Sequence, residues 1–208
     1  MCQDYTNGGL RAPDPDILFK SLWLAWISRL LISNETTTEP WKAIPSHFFK
    51  KYGGLNFLLR CNYNHKFLEK SGIPIIYRKI LANFLEIRNL YEHDNGQDLI
   101  PFSNKDILID GNSFFLQKWK EKGIISIQDI LDNDRKFFSF KSFQDKFKIK
   151  CNFLSYLQVT SAIPKHLLHK AKSLGRRESL TADIRTFPLM PTLNFDLYKM
   201  KCKDYYWL

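Results

Sequence analysis

Lysine and arginine are concentrated in one stretch of this chain. Between Arg135 and Arg177 the sequence has 11 basic residues and a single acid, Asp145, so this stretch accounts for the whole formal net charge of +10. A surface that is merely solvated does not need acids to be nearly absent over 43 residues. Lysine and arginine at this density attract the phosphates of a nucleic-acid backbone. This basic window, residues 135–177, therefore predicts contact with RNA or DNA.

The first part of the basic window has the pattern of an amphipathic helix. Phe140, Phe143 and Phe147 fall within about 60 degrees of one another on a helical wheel, and Ser142 with Asp145 fits a capping box. Such an aromatic stripe either packs into a core or stacks on bases, and the core is the commoner use. The lysines that flank the stripe are Lys141 and Lys148 on one side and Lys146 and Lys150 on the other.

A second amphipathic helix is predicted over PKHLLHKAKSLG, residues 164–175, starting at Pro164 and closing at Gly175. Its apolar arc is formed by Leu167, Leu168, Ala171 and Leu174, and its basic arc by Lys165, His166, His169, Lys170 and Lys172. Charge reversal of Lys165, Lys170 and Lys172 is expected to weaken binding and to leave the fold intact. The candidate phosphate-contacting residues of the window are Lys136, Lys141, Lys146, Lys148, Lys150, Lys165, Lys170, Lys172, Arg176 and Arg177.

The sequence signals for a metal site or a catalytic site are weak. His166 and His169 lie about one turn apart, but the lysines around them repel a cation and no third ligand is near. The sequence has no Asp-Asp pair for the two metals of a polymerase and no nucleophile or phosphate-loop motif. A nuclease site could pair Asp14 with Asp134 and Lys136. We favour structural roles instead, with Asp14 as a helix cap and Asp134 in a polar loop. We therefore expect no metal, no cofactor and no catalysis by this chain alone.

The N-terminal part of the chain predicts a helix with little polar surface. Asp14 or Asp16 can cap it, and Pro15 suits its first turn. Ser21 and Ser28 share one narrow stripe, so most of the helix must be covered by something. The apolar residues opposite that stripe are Leu18, Leu22, Ala25, Trp26 and Leu30.

The middle of the chain predicts shorter elements. A helix is expected over 41–52, with Pro45 as a possible break, and another over 75–91 with Ile76, Ile80, Phe84 and Ile87 on one side. Asp110-Gly111 suits the turn of a β-hairpin. A helix over 115–122 and a short strand or turn over 124–132 follow, and 175–198 reads as irregular chain before an aromatic tail.

These patterns define a fold class and a division of the chain. The fold is expected to be mostly α, a helical assembly with one small β-hairpin near residues 105–115. Three segments are predicted: a helical region at 1–97, the hairpin and basic helices at 98–174, and an irregular connection with its tail at 175–208.

Cysteine usage and hydropathy predict where in the cell the chain is found. The four cysteines are scattered without a C-x-x-C pair, which is typical of reduced intracellular thiols. No signal peptide is expected at the N-terminus, and the longest apolar run is shorter than a bilayer requires. An intracellular location, nucleus or cytoplasm, and no membrane partner are predicted.

The order of several small motifs resembles a known family. The chain begins with Gly8-Gly9-Leu10 and Pro13-Asp14 before a tryptophan-containing apolar helix. Later motifs are Trp119, Gly123-Ile124, Ile127, Asp129-Ile130, KFFSFKSFQDKF at 136–147, Ala162-Ile163-Pro164 and the tail from Cys202 to Tyr206. From about residue 8 to its end, the chain resembles LINE-type non-LTR retrotransposon reverse transcriptases, in the region that follows the polymerase palm. Pro15 departs from the pattern, because an aromatic residue often stands there.

The resemblance implies a thumb and an adjoining helical region that grip template RNA and the primer duplex. The palm with its metal-binding aspartates would lie outside these residues and would be a partner of this segment. Lys20 and Arg29 on the first helix become further candidate backbone contacts. The expected function is thus non-catalytic binding of RNA or DNA within a reverse transcriptase. The alternative is an inactive remnant, or a protein-interaction module that uses the apolar first helix.

Overall fold

The structure, a computed structural model, describes residues 14–31, 39–90 and 97–174, and the backbone of 186–190 and 193–196. This part of the chain is mostly helical, which confirms the predicted fold class. Its α-helices are α1 (Pro15–Leu31), α2 (Ala43–Lys50), α3 (Leu55–Arg60), α4 (His65–Lys70), α5 (Ile75–Leu90), α6 (Gln117–Glu121), α7 (Phe140–Phe147), α8 (Phe153–Ala162) and α9 (Lys165–Ser173). Short 3₁₀ turns cover Pro40–Lys42, Gln97–Leu99 and Ile127–Ile130.

Two short antiparallel strands, β1 (Thr186–Met190) and β2 (Leu193–Asp196), lie in the stretch for which the sequence favours irregular chain. A proline within a segment argues against a strand there, and Pro188 lies inside β1. The pairing of the strands is also irregular between Phe187 and Met190. Among the described residues, no helix has both the length and the apolar character needed to cross a bilayer.

The chain forms two compact units. The first contains α1, α5, the turn Pro40–Lys42 and the two strands, and the second contains α2 to α4 and α6 to α9. The second unit thus combines helices from the first and second of the three segments expected from sequence.

In the first unit, α1 begins as expected. The Asp14 carboxylate accepts hydrogen bonds from the backbone N–H groups of Asp16 (2.9 Å) and Ile17 (3.4 Å), and Pro15 occupies the first helical position. Two polar bonds of this kind satisfy N–H groups that a helix start leaves without partners. Helix α5 contacts α1, and the Lys20 ammonium lies 2.8 Å from the Glu86 carboxylate.

The buried face of α1 differs from the expected one. Ser21 and Ser28 are 1% and 2% exposed, whereas Phe19, Leu22 and Trp26 are exposed. The serines tolerate burial because their hydroxyls donate to carbonyls within the helix, to that of Leu18 at 2.8 Å for Ser21 and to that of Ala25 at 3.1 Å for Ser28. The narrow serine stripe therefore belongs to the covered side, and part of the apolar arc faces outward.

Helix α5 is confirmed, but its buried side is rotated from the predicted one. Ile80 and Phe84 are buried as expected, together with Leu81 and Leu85. Ile76, in the first turn of the helix, is 47% exposed.

In the second unit, α2 is continuous through Pro45. This proline stands in the first turn, where its missing N–H would have no helical partner. The helix ends at Lys50 and is followed by a turn to Gly53. The φ of Gly53 is 84°, which favours glycine, and an added Cβ would lie 2.9 Å from the Phe115 ring. Helices α3 and α4 were not expected. The signal for α4 was Asn64, whose side chain accepts a hydrogen bond from the Phe67 N–H at 3.0 Å.

The expected hairpin is reduced to its turn. Ile109 and Asn112 exchange two backbone hydrogen bonds of 2.9 and 3.0 Å around Asp110 and Gly111, which both have positive φ. This is an isolated bridge, and no named strand extends from it. The preceding chain is held as a loop by the buried Asn104, whose amide donates to the carbonyls of residues 98 and 100 and accepts from the N–H of residue 106.

Candidate nucleic-acid interface

The basic window is built from three helices separated by breaks. Helix α7 starts one turn earlier than its expected cap: the Ser139 hydroxyl accepts from the Ser142 N–H at 3.2 Å, so the assignment of the cap to Ser142 is wrong. The helix ends at Phe147, because Lys148 adopts the left-handed conformation with φ 51°. Lys148 and Lys150 therefore follow the helix instead of flanking its aromatic stripe.

Phe143, at the centre of the aromatic stripe of α7, is part of the core of the second unit. Phe143 is 0% exposed. Its ring centroid lies 4.8 Å from Trp119, 4.8 Å from Tyr156 and 5.2 Å from Phe147. Centroids at these separations are typical of packed aromatic clusters. Phe143 therefore anchors α7 against α6 and α8 and is not available to stack on bases, whereas Phe140 and Phe147 are partly exposed.

Five lysines of the window project from this anchored framework. They are exposed, and no ion pair between them and a described residue is found. They are Lys136, Lys141, Lys148, Lys150 and Lys165. Lys146 is also exposed, and its ammonium lies over the rings of Phe138 (4.3 Å) and Phe147 (4.9 Å). Because Phe143 holds the helix in the core, the five exposed lysines are positioned to meet phosphates from solvent.

The apolar arc of α9 is buried or partly buried, as predicted, but one lysine of its basic arc forms an ion pair. Leu167 and Ala171 are buried, and Lys165 is exposed. The Lys170 ammonium lies 2.6 Å from the Asp98 carboxylate, so its charge is already compensated. Reversing Lys170 would place two carboxylates together, so we expect this change to destabilise the contact between α9 and Asp98.

Hydrogen bonds from the preceding loop hold the C-terminal end of α9. The Gln128 amide donates to the carbonyls of Ala171 and Leu174, both at 3.1 Å. A capping box of Ser126 and Asp129 fixes the turn that carries Gln128. The Arg135 guanidinium donates to the carbonyl of Lys172, which is itself half-buried. Arg135 and Lys172 thus contribute to the structure of the window as well as to its charge.

The remaining candidates lie elsewhere. Lys20 and Arg29 belong to the first unit, where the hydrogen bond and charge of Glu86 raise the pKa of Lys20. The Arg29 guanidinium lies 5.2 Å from the centre of the Trp26 ring. Arg176, Arg177, the glycines at 8 and 9 and the tail from 202 are outside the described residues.

The described residues give no sign of a metal centre or of an activated thiol at Cys151. They contain no group of three or more His, Cys, Asp or Glu side chains that would hold a metal ion. Burial raises the pKa of the Cys151 thiol, which opposes the thiolate form that a nucleophile requires. Burial also raises the pKa of Tyr156, whose hydroxyl donates to the carbonyl of Phe138 at 2.5 Å.

Comparison with known proteins gives no family for the chain. No family model matches it, and neither a curated protein nor a solved structure is detectably similar to it.

Proposed function

We propose that this chain is a non-catalytic nucleic-acid-binding segment that contacts template RNA or a primer duplex within a retrotransposon-derived reverse transcriptase. One observation carries the proposal. The basic window combines an aromatic side packed into the second unit with exposed lysines and a single acid over 43 residues.

The arrangement suits a phosphate backbone better than a base sequence. Lysine is a compact point charge without fixed donor geometry, so it neutralises phosphates but discriminates bases poorly. Phe143, the centre of the aromatic stripe, is fully buried and cannot stack on a splayed base. Binding should therefore depend on charge and salt and only weakly on sequence.

The context of reverse transcription rests on the resemblance, which runs from about residue 8 to the end of the chain. In that context the palm would be a separate region of the parent polyprotein and would supply catalysis. The partners of this segment would be RNA, DNA and that palm, in the nucleus or cytoplasm.

Charge reversal tests the assignment. Lys141→Glu, Lys150→Glu and Lys165→Glu together should weaken binding of RNA and duplex DNA by about tenfold or more at moderate salt, because each removes a candidate phosphate contact. Lys141 and Lys165 stand in the first turns of α7 and α9, where a carboxylate is favoured by the helix dipole. The measurement is fluorescence anisotropy with labelled oligonucleotides, alongside thermal unfolding.

The matched control reverses three exposed lysines outside the window, Lys79, Lys118 and Lys122. Either triple change lowers the net charge from +10 to +4, so net charge is equal in the two variants. Equal loss of binding in both variants would reject a local interface in the basic window.

A second candidate function is favoured by the exposed side of α1. Phe19, Leu22 and Trp26 form an apolar stripe at helical spacing, and the Trp26 ring meets that of Trp41 edge-on at 5.7 Å. Exposed apolar side chains in one row are typical of protein-binding surfaces. The alternative is therefore a protein-interaction module, or an inactive remnant that keeps this surface.

Substitution of Phe19 and Leu22 by serine tests the second candidate. If the stripe binds a second copy of this chain, the purified chain should self-associate with rising concentration. This double change should then restore a monomer, as measured by light scattering. Leu24 is unsuitable for the test because it is 1% exposed and its polar replacement would damage the core. If the unsubstituted chain stays monomeric at all concentrations, self-association through the stripe is rejected.

A further inference from the structure

A cavity of about 470 Å³ lies within the second unit. Its walls come from the end of α2, from α4 and from the loop that contains the turn at Asp110 and Gly111. None of its lining residues falls in 135–177. The volume is in the range of small-molecule sites.

The lining is strongly cationic. It includes Lys51, Lys66, Lys70 and Lys105 and no aspartate or glutamate. Within the described part of the chain, none of these four ammonium groups forms an ion pair. The Lys70 ammonium donates to the Asn112 side-chain oxygen at 3.1 Å, a neutral partner that leaves its charge uncompensated. Four like charges around one cavity repel each other, and a bound anion would relieve that repulsion.

One side of the same cavity is apolar. Leu108 is 40% exposed although it is a large aliphatic residue, and Phe115 also lines the space. Phe115 is fixed by contacts with Phe57 and Phe102, at centroid distances of 6.0 and 5.5 Å. A ligand that fills this space should therefore carry several negative charges at one end and a flat apolar group at the other.

We propose that this lysine cavity binds a nucleoside phosphate, with its phosphates on the lysines and its base against Leu108 and Phe115. The phosphate belongs either to a free nucleotide or to the phosphorylated end of a strand. This site and the basic window share no residue, so separate substitutions can test them.

ATP is the probe, and isothermal titration calorimetry is the measurement. Wild-type chain should bind ATP and should not bind adenosine. Lys66→Ala with Lys105→Ala should weaken ATP binding by about tenfold or more, since charge-assisted contacts are lost. Lys118→Ala with Lys122→Ala should leave it unchanged. The side chains of Lys66 and Lys105 are exposed, so thermal unfolding should not change.

Leu108→Ala tests the apolar wall. It should weaken ATP binding by about fivefold and leave binding of inorganic pyrophosphate unchanged. Absence of ATP binding, equal weakening by the control pair, or an equal effect of Leu108→Ala on both ligands would overturn the proposal.

Two further experiments distinguish a free nucleotide from a strand end as the ligand, and the lysine cavity from the basic window. Displacement of ATP by a 5′-phosphorylated oligonucleotide but not by its 5′-hydroxyl form assigns the cavity to strand ends, and no displacement assigns it to free nucleotides. The variant with glutamate at 141, 150 and 165 should retain ATP binding. A chain that binds ATP but no nucleic acid would support the cavity and contradict the proposed function.

Discussion

Replacement of Phe143 by alanine is expected to lower the free energy of unfolding by about 3–5 kcal/mol. The ring is fully buried and lies between Trp119 of α6 and Tyr156 of α8. Its removal deletes a large apolar side chain and leaves a cavity that three rigid aromatic neighbours fill poorly. Urea denaturation followed by tryptophan fluorescence measures the change.

The control is Phe153→Ala, ten residues along the chain. Phe153 is 55% exposed and has one close ring partner, Phe140, at 5.3 Å. Its loss should cost about 1 kcal/mol, near the value of a surface aromatic pair. Equal effects of the two changes would show that Phe143 is not in the core and would make the aromatic stripe available to bases again.

The sequence was sufficient where local chemistry decides the structure. Asp14 and Pro15 form the start of α1 because a carboxylate and a fixed φ both suit that position. The aromatic stripe of α7 and the apolar arc of α9 were read from spacing alone. The Asp110-Gly111 turn formed because both positions tolerate positive φ.

The remaining differences from the sequence predictions have three physical causes. Lys170 looked like a free cation on a basic helix face, but Asp98, 72 positions away, pairs with it. The covered side of α1 was misread because internal hydrogen bonds let serine be buried as readily as leucine. Helices α3 and α4 have six residues each, too few for a helical period to stand out.

The lysine cavity had no sequence signal either. Its lysines are spread over 51–70 and 105, and only the fold brings Lys105 together with the others. By contrast, the basic window is visible in the sequence because its charges are neighbours along the chain.

Binding of RNA or DNA is expected to weaken about a hundredfold between about 50 and 200 mM salt, if four of the five exposed window lysines contact phosphates. Each contact releases counterions that salt opposes, at about 0.9 per phosphate in a plot of log affinity against log salt concentration. The effect should be similar for different sequences, because lysines read phosphates and not bases. A variant with glutamate at 141, 150 and 165 should lose about three units of that slope.

The decisive measurement is the affinity of the chain for labelled RNA and duplex DNA at several salt concentrations, by fluorescence anisotropy. For four phosphate contacts, the predicted slope of log affinity against log salt concentration is about −3.6. Binding that is absent at low salt, or insensitive to salt, would contradict the claim that the basic window holds nucleic acid.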